Sequence, residues 1–377
     1  MPNPKHITER IFQGPQKYIQ GPNAIKNSGQ YLKALGKKPL LTVDDNVYEI
    51  AGKNLISVLE KNGFTIHRAR FRGEASVKEI DRLTVEAKDA QVDFVIALGG
   101  GKTIDTSKAI ANHLGVPIAV MSTTASTDAP CSALSVLYSE EGLFESYRFY
   151  QWNPNLVLVD TSVVINAPPR MLAAGIGDAL ATNVEARQAR YSVNFGGGMP
   201  TELAGAVCRT CEGTLFRYGK QAYEANKTRS LTPAFEAVVE ANTLLSGLGF
   251  ETGGIAAAHA IHNGFTAIEA MHGLMHGEKV AFGIVCQLIL DGADTAELER
   301  YIDLMLSVDL PITFELLGIP KVTDAELRAV AKAACAPTET IWNMERAINE
   351  DIVFHAIKGA DTASREFIRR TGWRKSA

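Results

Sequence analysis

The sequence predicts two domains: an α/β domain with a mainly parallel sheet over residues 1–165, and an all-helical domain over residues 166–377. Up to Asp160, short apolar runs alternate with amphipathic segments of roughly 10 to 15 residues, as strands and crossover helices do in parallel sheets. After Pro168, alanine, leucine, glutamate and lysine recur at helical spacing, and prolines divide this half into helix-length pieces. A chain of 377 residues is also longer than a single core usually supports.

The predicted α/β elements follow one another in regular order. The opening IFQGPQKYIQGPNAI is interpreted as a short strand pair with Gly-Pro punctuation, and YLKALGKK as a helix. Five apolar runs are predicted as further strands: LLTVDD, FTIHRARF, DFVIALGGGK, which runs into a triple glycine, VPIAVMSTTAS and LVLVD. Between them, NVYEIAGKNLISVLEKNG, VKEIDRLTVEAKDA and TIDTSKAIANHL are predicted as helices, and Gly63 is placed to end the first of these.

Composition argues against several classes of partner and location. Lys+Arg at 38 against Asp+Glu at 42 is too balanced to indicate nucleic acid or an anionic membrane. The start MPNPKHITER is polar with no apolar segment behind it, so a cytoplasmic protein is expected. Five cysteines, an odd number, argue against a disulfide framework. Cys208 and Cys211 form a CxxC with no second pair, which more often reflects packing than redox or zinc chemistry.

A triple glycine followed by lysine, Gly99 to Lys102, lies between the strand FVIAL and the helix TIDTSKA. Glycine lets the backbone approach a ligand closely, and free N–H groups at a helix start bind anionic oxygen. The segment is not an ATPase P-loop, which requires glycine in place of Ile96, nor the GxGxxG dinucleotide motif, which requires glycine in place of Ile104. A phosphate-binding loop of another kind and a tight strand-to-helix turn remain as alternatives.

Two acidic residues near strand ends are candidate ligand contacts. Asp44 follows the first strong strand, where acids bind a ribose diol in NAD-binding sheets, although Asp44 or Asp45 could instead cap the next helix. Asp128 is the only acid in the hydroxyl-rich stretch STTASTDAPCSALSVLY, just past another strand. Open parallel sheets bind ligands at that edge, while a turn at Asp-Ala-Pro is the plain alternative.

Four of the eight histidines fall within AAAHAIHNGFTAIEAMHGLMHGE: His259, His262, His272 and His276. One histidine alone is more often capping, packed or exposed, but several in one short stretch favour a metal or catalytic site. Because the spacing is not HExxH, a carboxylate ligand would have to come from elsewhere.

Asp178, in MLAAGIGDALATNVEARQA, is the candidate carboxylate ligand. It follows two glycines on a surface of small residues, which suits either a helix N-cap after Gly177 or a ligand approached closely by another group. One carboxylate and two histidines with an open position make a catalytic zinc arrangement. The open position would let zinc hold an alcohol oxygen and lower its pKa.

The motifs GGGKTIDTSKA, ASTDAPCSALSVLY, GIGDALAT, AAAHAIHNG and MHGEKVAFG together closely resemble the iron-containing (group III) alcohol dehydrogenase family, and within it the bacterial glycerol dehydrogenases. The resemblance covers nearly the whole chain, including KYIQG near the start and ETIWNM in the later part. It implies a dehydroquinate-synthase-like fold with an α/β NAD-binding domain and an all-helical metal- and substrate-binding domain. NAD and one zinc ion would be held in the cleft between them.

The resemblance also implies roles for individual residues. Asp178, His259 and His276 would be the metal ligands and, with Asp128 as a glycerol contact, the catalytic and substrate-binding set. The implied cofactor-binding residues are Asp44, Gly100, Gly101, Lys102, Asp105, Thr123, Ser126, Ser132, Leu134 and Tyr138.

One departure from the wider family bears on the metal. Its iron enzymes commonly carry a histidine four residues after the ligand aspartate, where this chain has Thr182. Three protein ligands fit zinc better than ferrous iron. His262 and His272 are given no firm role.

The activity implied is NAD-dependent oxidation of glycerol to dihydroxyacetone, with hydride passing from C2 to the nicotinamide. Another diol or glycerol 1-phosphate is a same-fold alternative, although Thr123 to Tyr138 holds no lysine or arginine for a phosphate. A metal-dependent lyase or synthase that binds NAD transiently is the rival from another class. NAD is expected over NADP, because Asp45 and Asn46 supply no arginine for a 2′-phosphate. A homo-oligomer is expected, and the family suggests an octamer.

Overall fold

The computed structural model describes residues 7–140, 142 and 144–374. The strands are β1 (Tyr18–Gly21), β2 (Pro39–Val43), β3 (His67–Arg70), β4 (Phe94–Gly99), β5 (Ile118–Ser122), β6 (Leu134–Tyr138), β7 (Phe144–Phe149) and β8 (Leu156–Asp160). The α-helices of the first half are α1 (Ser28–Leu32), α2 (Asp45–Val47), α3 (Lys53–Lys61), α4 (Val77–Asp89), α5 (Gly101–Leu114) and α6 (Thr161–Val164). The remaining α-helices are α7 (Pro169–Ala189), α8 (Glu202–Lys227), α9 (Pro233–Glu240), α10 (Ser246–Gly253), α11 (Ala257–Phe265), α12 (His276–Asp291), α13 (Thr295–Ser307), α14 (Asp324–Ala334) and α15 (Glu350–Thr371).

Six strands form one parallel sheet in the order β1-β8-β5-β4-β2-β3. In the central strand β4, Val95 aligns with Leu40 of β2 on one side and with Ile118 of β5 on the other. Strands β2, β4, β5 and β8 are buried along their whole length, as parallel strands covered on both faces are. The predicted α/β fold class of the first half is confirmed.

The opening segment differs from the predicted strand pair. It forms the single strand β1, which pairs in parallel with β8, so that Tyr18 lies opposite Val157. The strand that pairs with β1 is therefore remote in sequence, and the Gly-Pro turn signals near β1 carry no information about it.

The sequence analysis also missed an antiparallel hairpin of β6 and β7, which stands apart from the main sheet. In β7, the side chains of Glu145, Ser146, Tyr147 and Phe149 are all exposed. A strand with both faces open to solvent lacks the period-two burial pattern by which strands are usually predicted.

The chain forms two compact units, each assembled from separated segments rather than from the contiguous ranges 1–165 and 166–377. The sheet unit comprises residues 14–171 together with 225–247. The helical unit comprises the described residues before Gly14, residues 172–224 and residues 248–374.

Long-range polar contacts explain why residues 225–247 belong to the sheet unit. Glu236 in α9 accepts hydrogen bonds from Thr161 Oγ1 at 2.6 Å and Gln20 Nε2 at 2.8 Å. The Tyr18 hydroxyl lies 2.7 Å from Thr243 Oγ1. These side chains fix the segment to β1 and the end of β8.

In the helical unit, the described residues form helices and one isolated pairing between Arg10 and Met199. None of the described helices has the combined length and apolar character needed to span a lipid bilayer. Cys208 and Cys211 are buried thiols that contact the Gly249 and Ala179 carbonyls at 3.6 Å, in line with a packing role.

Close backbone contacts at glycines join α7, α11 and α12 within the helical unit. A Cβ atom at Gly277 would lie 1.8 Å from the Ala174 carbonyl oxygen, and one at Gly177 would lie 2.4 Å from the Gly277 carbonyl oxygen. A Cβ atom at Gly283 would lie 2.3 Å from the Ala258 carbonyl oxygen. Any side chain at these positions would push the helices apart, so the close approach requires glycine.

Replacing Gly277 with alanine is therefore expected to destabilise the helical unit. The added methyl meets backbone rather than a mobile side chain, so the free energy of unfolding should fall by about 1–3 kcal/mol or more. Urea denaturation followed by circular dichroism measures this change. Gly213→Ala in α8 is the matched control, because nothing lies within 4 Å of its added methyl. The control should be neutral or stabilising, and a Gly277→Ala protein as stable as the control would contradict the packing argument.

Candidate metal and cofactor site

Three residues from three helices of the helical unit converge on one point. Asp178 lies in the middle of α7, His259 is the third residue of α11, and His276 is the first residue of α12. Their ligand atoms all lie within 4.8 Å of one another. Asp178 Oδ1 is 3.2 Å from His276 Nε2 and 3.5 Å from His259 Nε2. The structure thus brings together the three residues expected to bind metal.

Asp178 is not a helix cap, because α7 begins nine residues earlier at Pro169. Its side chain is buried, and burial alone would raise its pKa. The His276 and His259 imidazoles outweigh that effect and hold the pKa of the carboxyl below its ordinary value. Asp178 is therefore an anion kept in the interior by the two imidazoles beside it.

Glu185 is a residue of this cluster that the sequence analysis missed. It is fully buried, and its Oε2 lies 2.6 Å from His259 Nδ1. Burial alone would lower the pKa of His259, but the Glu185 and Asp178 carboxylates outweigh it and raise that pKa well above the ordinary value. A signal was available in the sequence, since Glu185 follows Asp178 by two helical turns and so lies on the same face of α7.

The donor set fits a divalent transition metal. Two imidazole nitrogens and one carboxylate oxygen are typical zinc ligands, and three protein ligands are the number found in catalytic zinc sites. Both Nε2 atoms face the same carboxylate oxygen, Asp178 Oδ1.

The remaining histidines occupy other surroundings. His262 is buried against His276, with ring centroids 4.3 Å apart, and its Nδ1 lies 3.0 Å from Asn263 Oδ1. Burial first, and then the neighbouring His276, lower the pKa of His262 well below its ordinary value. His272 is exposed and its Nε2 lies 2.9 Å from the Thr266 carbonyl oxygen. Neither joins the three-residue cluster found among the described residues.

Thr182, which stands where the family's iron enzymes carry a fourth ligand, has a packing environment. It is buried, and its methyl group would lie 2.3 Å from a Cβ atom at Gly249. A larger imidazole here would have to displace α10.

In the sheet unit, the glycine loop joins the end of β4 to the start of α5. Gly100 precedes the helix without any side-chain cap for its first N–H groups. A Cβ atom at Gly99 would lie 2.6 Å from Thr103 Oγ1, so packing requires glycine there. At Gly100 and Gly101 the nearest atoms would be 3.6 and 3.4 Å away, which are ordinary contacts. The turn itself therefore explains the first glycine but not the next two.

Several predicted cofactor residues lie beside this loop. Thr123 N donates to the Gly99 carbonyl at 3.1 Å. Beyond it, the Ser126 hydroxyl lies 3.0 Å from that of Thr124, whose Oγ1 is the atom nearest to Gly100. Lys102 lies 5.4 Å from the centre of the Tyr138 ring. The Lys102 ammonium pairs with Glu74 at 2.6 Å, which offsets its charge.

Asp105, Ser132 and Leu134 lie deeper, where they attach α5 to the hairpin. Lys108, which the sequence analysis did not select, donates to the Leu134 carbonyl at 2.9 Å and lies 3.1 Å from Ser132 Oγ. Asp105 Oδ2 accepts the Val136 N–H at 3.2 Å. Burial raises the pKa of Asp105 to about 6, against the opposing effects of Lys108 and the Val136 N–H. The contacts described for these three residues are structural.

Asp44 caps the helix that follows β2, as the alternative interpretation held: its Oδ1 accepts the Val47 N–H at 2.8 Å. The next residue, Asp45, pairs with Arg68 at 2.9 Å and with Arg70 at 2.6 Å. Asp45 and Asn46 supply no arginine, as the sequence shows, but β3 brings two arginines, Arg68 and Arg70, to Asp45.

Asp128 lies just before a 3-10 turn, Ala129–Cys131, so the turn alternative is also present. Its Oδ2 accepts a hydrogen bond from Ser246 Oγ at 2.8 Å. A Cβ atom at Gly247 would lie 2.9 Å from the Asp128 carbonyl oxygen. The start of α10 thereby fixes both the backbone and the carboxylate of Asp128.

Comparison with known proteins shows relatives along the whole chain. Residues 15–161 match the family described as iron-containing alcohol dehydrogenase. The chain is 47% identical to glycerol dehydrogenase from Escherichia coli O6:H1 over 363 residues, which cover 96% of this chain and 99% of that protein. It is 46% identical to glycerol dehydrogenase from Pseudomonas putida, covering 96% of this chain and 99% of that protein.

A solved structure agrees with the sequence relatives. Glycerol dehydrogenase from Schizosaccharomyces pombe matches with a TM-score of 0.94 at 44% identity, covering 98% of this chain and 94% of that chain. This match confirms the dehydroquinate-synthase-like fold class, and its coverage extends through both the sheet unit and the helical unit. With identities of this size over nearly its full length, the chain belongs to the iron-containing alcohol dehydrogenase family.

Proposed function

We propose that this protein is an NAD-dependent zinc dehydrogenase that oxidises glycerol to dihydroxyacetone. The observation that carries the proposal is the convergence of Asp178, His259 and His276 in a chain 47% identical to a glycerol dehydrogenase. Hydride would leave C2 of glycerol for the nicotinamide and a proton would leave its hydroxyl, giving dihydroxyacetone, NADH and H⁺.

Asp178, His259 and His276 would hold the metal, and zinc is proposed because Thr182 cannot supply a further imidazole. When bound, zinc supplies Lewis-acid chemistry that lowers the pKa of an alcohol. To bind the metal, all three side chains must present a lone pair to it at the same time. The buried Asp178 anion favours binding because it attracts the metal cation.

The sheet unit would bind NAD at the carboxyl edge of its parallel strands. Gly100 and Gly101, which packing does not require, would let the pyrophosphate approach the uncapped N–H groups of α5. Thr123 and Ser126 lie beside that loop, and Asp44 follows an adjacent strand. A carboxylate has about four acceptor positions, so the Asp44 cap leaves capacity for a ribose diol.

Asp128 would orient glycerol. Because Ser246 fixes one of its carboxylate oxygens, the group is set to accept a hydrogen bond from a substrate hydroxyl. A phosphorylated substrate is disfavoured, since the nearby Lys108 is buried and donates to backbone carbonyls.

The proposal further includes a cytoplasmic location and a homo-oligomer with one zinc ion per subunit. The family suggests that the oligomer is an octamer.

The direct test is NADH formation from NAD with glycerol as the only substrate, together with metal analysis of the purified protein. The same assay across propanediol, butanediol and glycerol 1-phosphate identifies the preferred alcohol. A lyase or synthase that binds NAD transiently would give no net NADH, and that result would overturn the proposal.

His276→Ala is expected to remove the metal and nearly all turnover, because a three-ligand site has no redundancy. Metal affinity should fall by more than the roughly 10- to 100-fold that is lost when a hydrogen-bond partner of a metal ligand is removed. Plasma emission analysis and NADH absorbance measure the two effects, and NAD binding should persist.

The rate of the unmodified enzyme should fall at low pH, because a ligand imidazole must be neutral to coordinate.

His262→Ala is the control for that experiment, since His262 packs on His276 without joining the cluster. It should keep its metal even if its rate changes. A His262→Ala protein without zinc beside a His276→Ala protein with zinc would show that the ligand assignment is wrong.

Asp128→Asn is expected to impair glycerol use while leaving the NAD dissociation constant nearly unchanged. Hydrogen bonds to charged groups contribute about 1.5–3 kcal/mol, so kcat/KM for glycerol should fall roughly 10- to 100-fold. Steady-state kinetics with glycerol and fluorescence titration with NAD separate the two quantities. A defect mainly in NAD affinity would mean that Asp128 serves the cofactor.

Asp44→Ser tests cofactor choice with the helix cap retained, because serine caps about as well as aspartate. NAD affinity should fall about tenfold, and the preference for NAD over NADP should narrow, since Arg68 and Arg70 pair with Asp45, the residue next to Asp44. Asp89→Ser, at the exposed end of α4, is the control and should change neither quantity. Equal efficiency with both cofactors in the unmodified enzyme would contradict the assignment.

A further inference from the structure

We propose that Glu185 is a positioning residue that fixes the tautomer of His259, so that its Nε2 presents a lone pair to the metal. The inference rests on the proposed metal site and concerns how the protein prepares one ligand of that site. It is carried by the contacts of a fully buried carboxylate that makes no part of the three-residue cluster itself.

Three donors converge on the two oxygens of Glu185. Its Oε1 accepts the backbone N–H groups of Ala256 and His259, both at 2.9 Å. Its Oε2 lies 2.6 Å from His259 Nδ1. One side chain thus contacts both the backbone and the ring of His259, which fixes the position and the rotation of the imidazole together.

The start of α11 is held by remote side chains rather than by a local cap. Ala256 precedes the helix and offers no capping side chain. The N–H groups of Ala257 and Ala258 donate to Gln287 Oε1 of α12, both at 2.9 Å, and Gln287 Nε2 donates to the Val184 carbonyl of α7 at 2.8 Å. Glu185 and Gln287 together satisfy the four N–H groups from Ala256 to His259, so the helix start has little freedom to shift.

The chemistry of the acceptor decides the tautomer. A carboxylate only accepts hydrogen bonds, so His259 must carry its proton on Nδ1 to donate to Glu185. In the neutral ring the other nitrogen, Nε2, then has the lone pair, and it faces Asp178 at 3.5 Å. Metal-binding histidines depend on such a partner at the opposite nitrogen for both orientation and basicity.

Glu185→Gln reverses this arrangement with almost no change in shape. The amide oxygen can replace Oε1 and accept the two backbone N–H groups. Its NH₂ then occupies the Oε2 position and donates to Nδ1, which moves the ring proton to Nε2. The opposite amide orientation would place the NH₂ against two N–H donors and is excluded by their repulsion. The variant therefore points a proton, rather than a lone pair, at the metal position.

The experiment measures zinc affinity by competition with a chromophoric chelator for the unmodified protein and for Glu185→Gln. Affinity is expected to fall roughly 10- to 100-fold in the variant, the usual cost of losing a partner of this kind. NAD affinity and the melting temperature of the apoprotein should stay close to those of the unmodified protein. Glu251→Gln is the matched control, since Glu251 is equally buried in the helical unit and its carboxylate accepts from Gln13 at 2.7 Å. It should keep full zinc affinity.

Nitrogen-15 NMR of the histidine rings reads the tautomer directly and needs no variant. In the zinc-loaded unmodified protein, His259 should show a protonated Nδ1 and a metal-bound Nε2. His259 bound through Nδ1, or unchanged zinc affinity in a well-folded Glu185→Gln protein, would overturn the assignment of Glu185. If His276→Ala still loses zinc in that case, the proposed metal site stands. Failure of the unmodified protein to bind zinc would overturn both.

Discussion

Backbone contact between α7 and α12 is the constraint on which the candidate metal site depends. Gly177 immediately precedes Asp178, and Gly277 immediately follows His276, so the two glycines that touch are chain neighbours of two proposed ligands. Their approach fixes the separation of the carboxylate from the imidazole. The contact of Gly283 with Ala258 does the same for α11 and brings His259, the next residue, into place. The glycines at these contacts let the helix backbones approach closely, and backbone flexibility is not their role.

Two buried carboxylates on one face of α7 bracket the ring of His259. Asp178 faces Nε2 and Glu185 faces Nδ1. Burying two anions is costly unless each is paired, and the shared imidazole together with His276 supplies that pairing. A divalent cation bound at Asp178, His259 and His276 would add further compensation for this negative charge. The same two carboxylates that would attract a metal also hold the ring of His259 in place.

In the sheet unit, the candidate cofactor residues are brought together differently, at the shared carboxyl edge of parallel strands. Because β2, β4 and β5 are adjacent, Asp44, Gly100 and Thr123 follow neighbouring strands at one edge. Lys108 of α5 holds the hairpin and the turn after Asp128 through the Leu134 and Ala129 carbonyls, and Ser246 of α10 holds the Asp128 carboxylate. Family membership alone would not identify the substrate, since one fold hosts many reactions. Near Asp128, the ammonium of Lys108 already donates to the Ala129 and Leu134 carbonyls, which favours a neutral polyol over a phosphorylated substrate.

The sequence by itself determined the α/β fold of the first half, and it indicated the glycine loop and the three residues that converge in the helical unit. These are recorded in local patterns: strand and helix periodicity, a run of glycines, and histidines and an aspartate set in distinctive motifs. Only the tertiary structure decided that β1 pairs with β8, that Arg68 and Arg70 reach Asp45, that residues 225–247 join the sheet unit, and that Glu185 holds His259. Each of these depends on which groups meet across long stretches of chain and on the direction of individual side chains. Local periodicity specifies which face of an element is buried, but the hydrogen-bond partner of a buried polar group is set by whichever remote atom the packed backbone brings within about 3 Å.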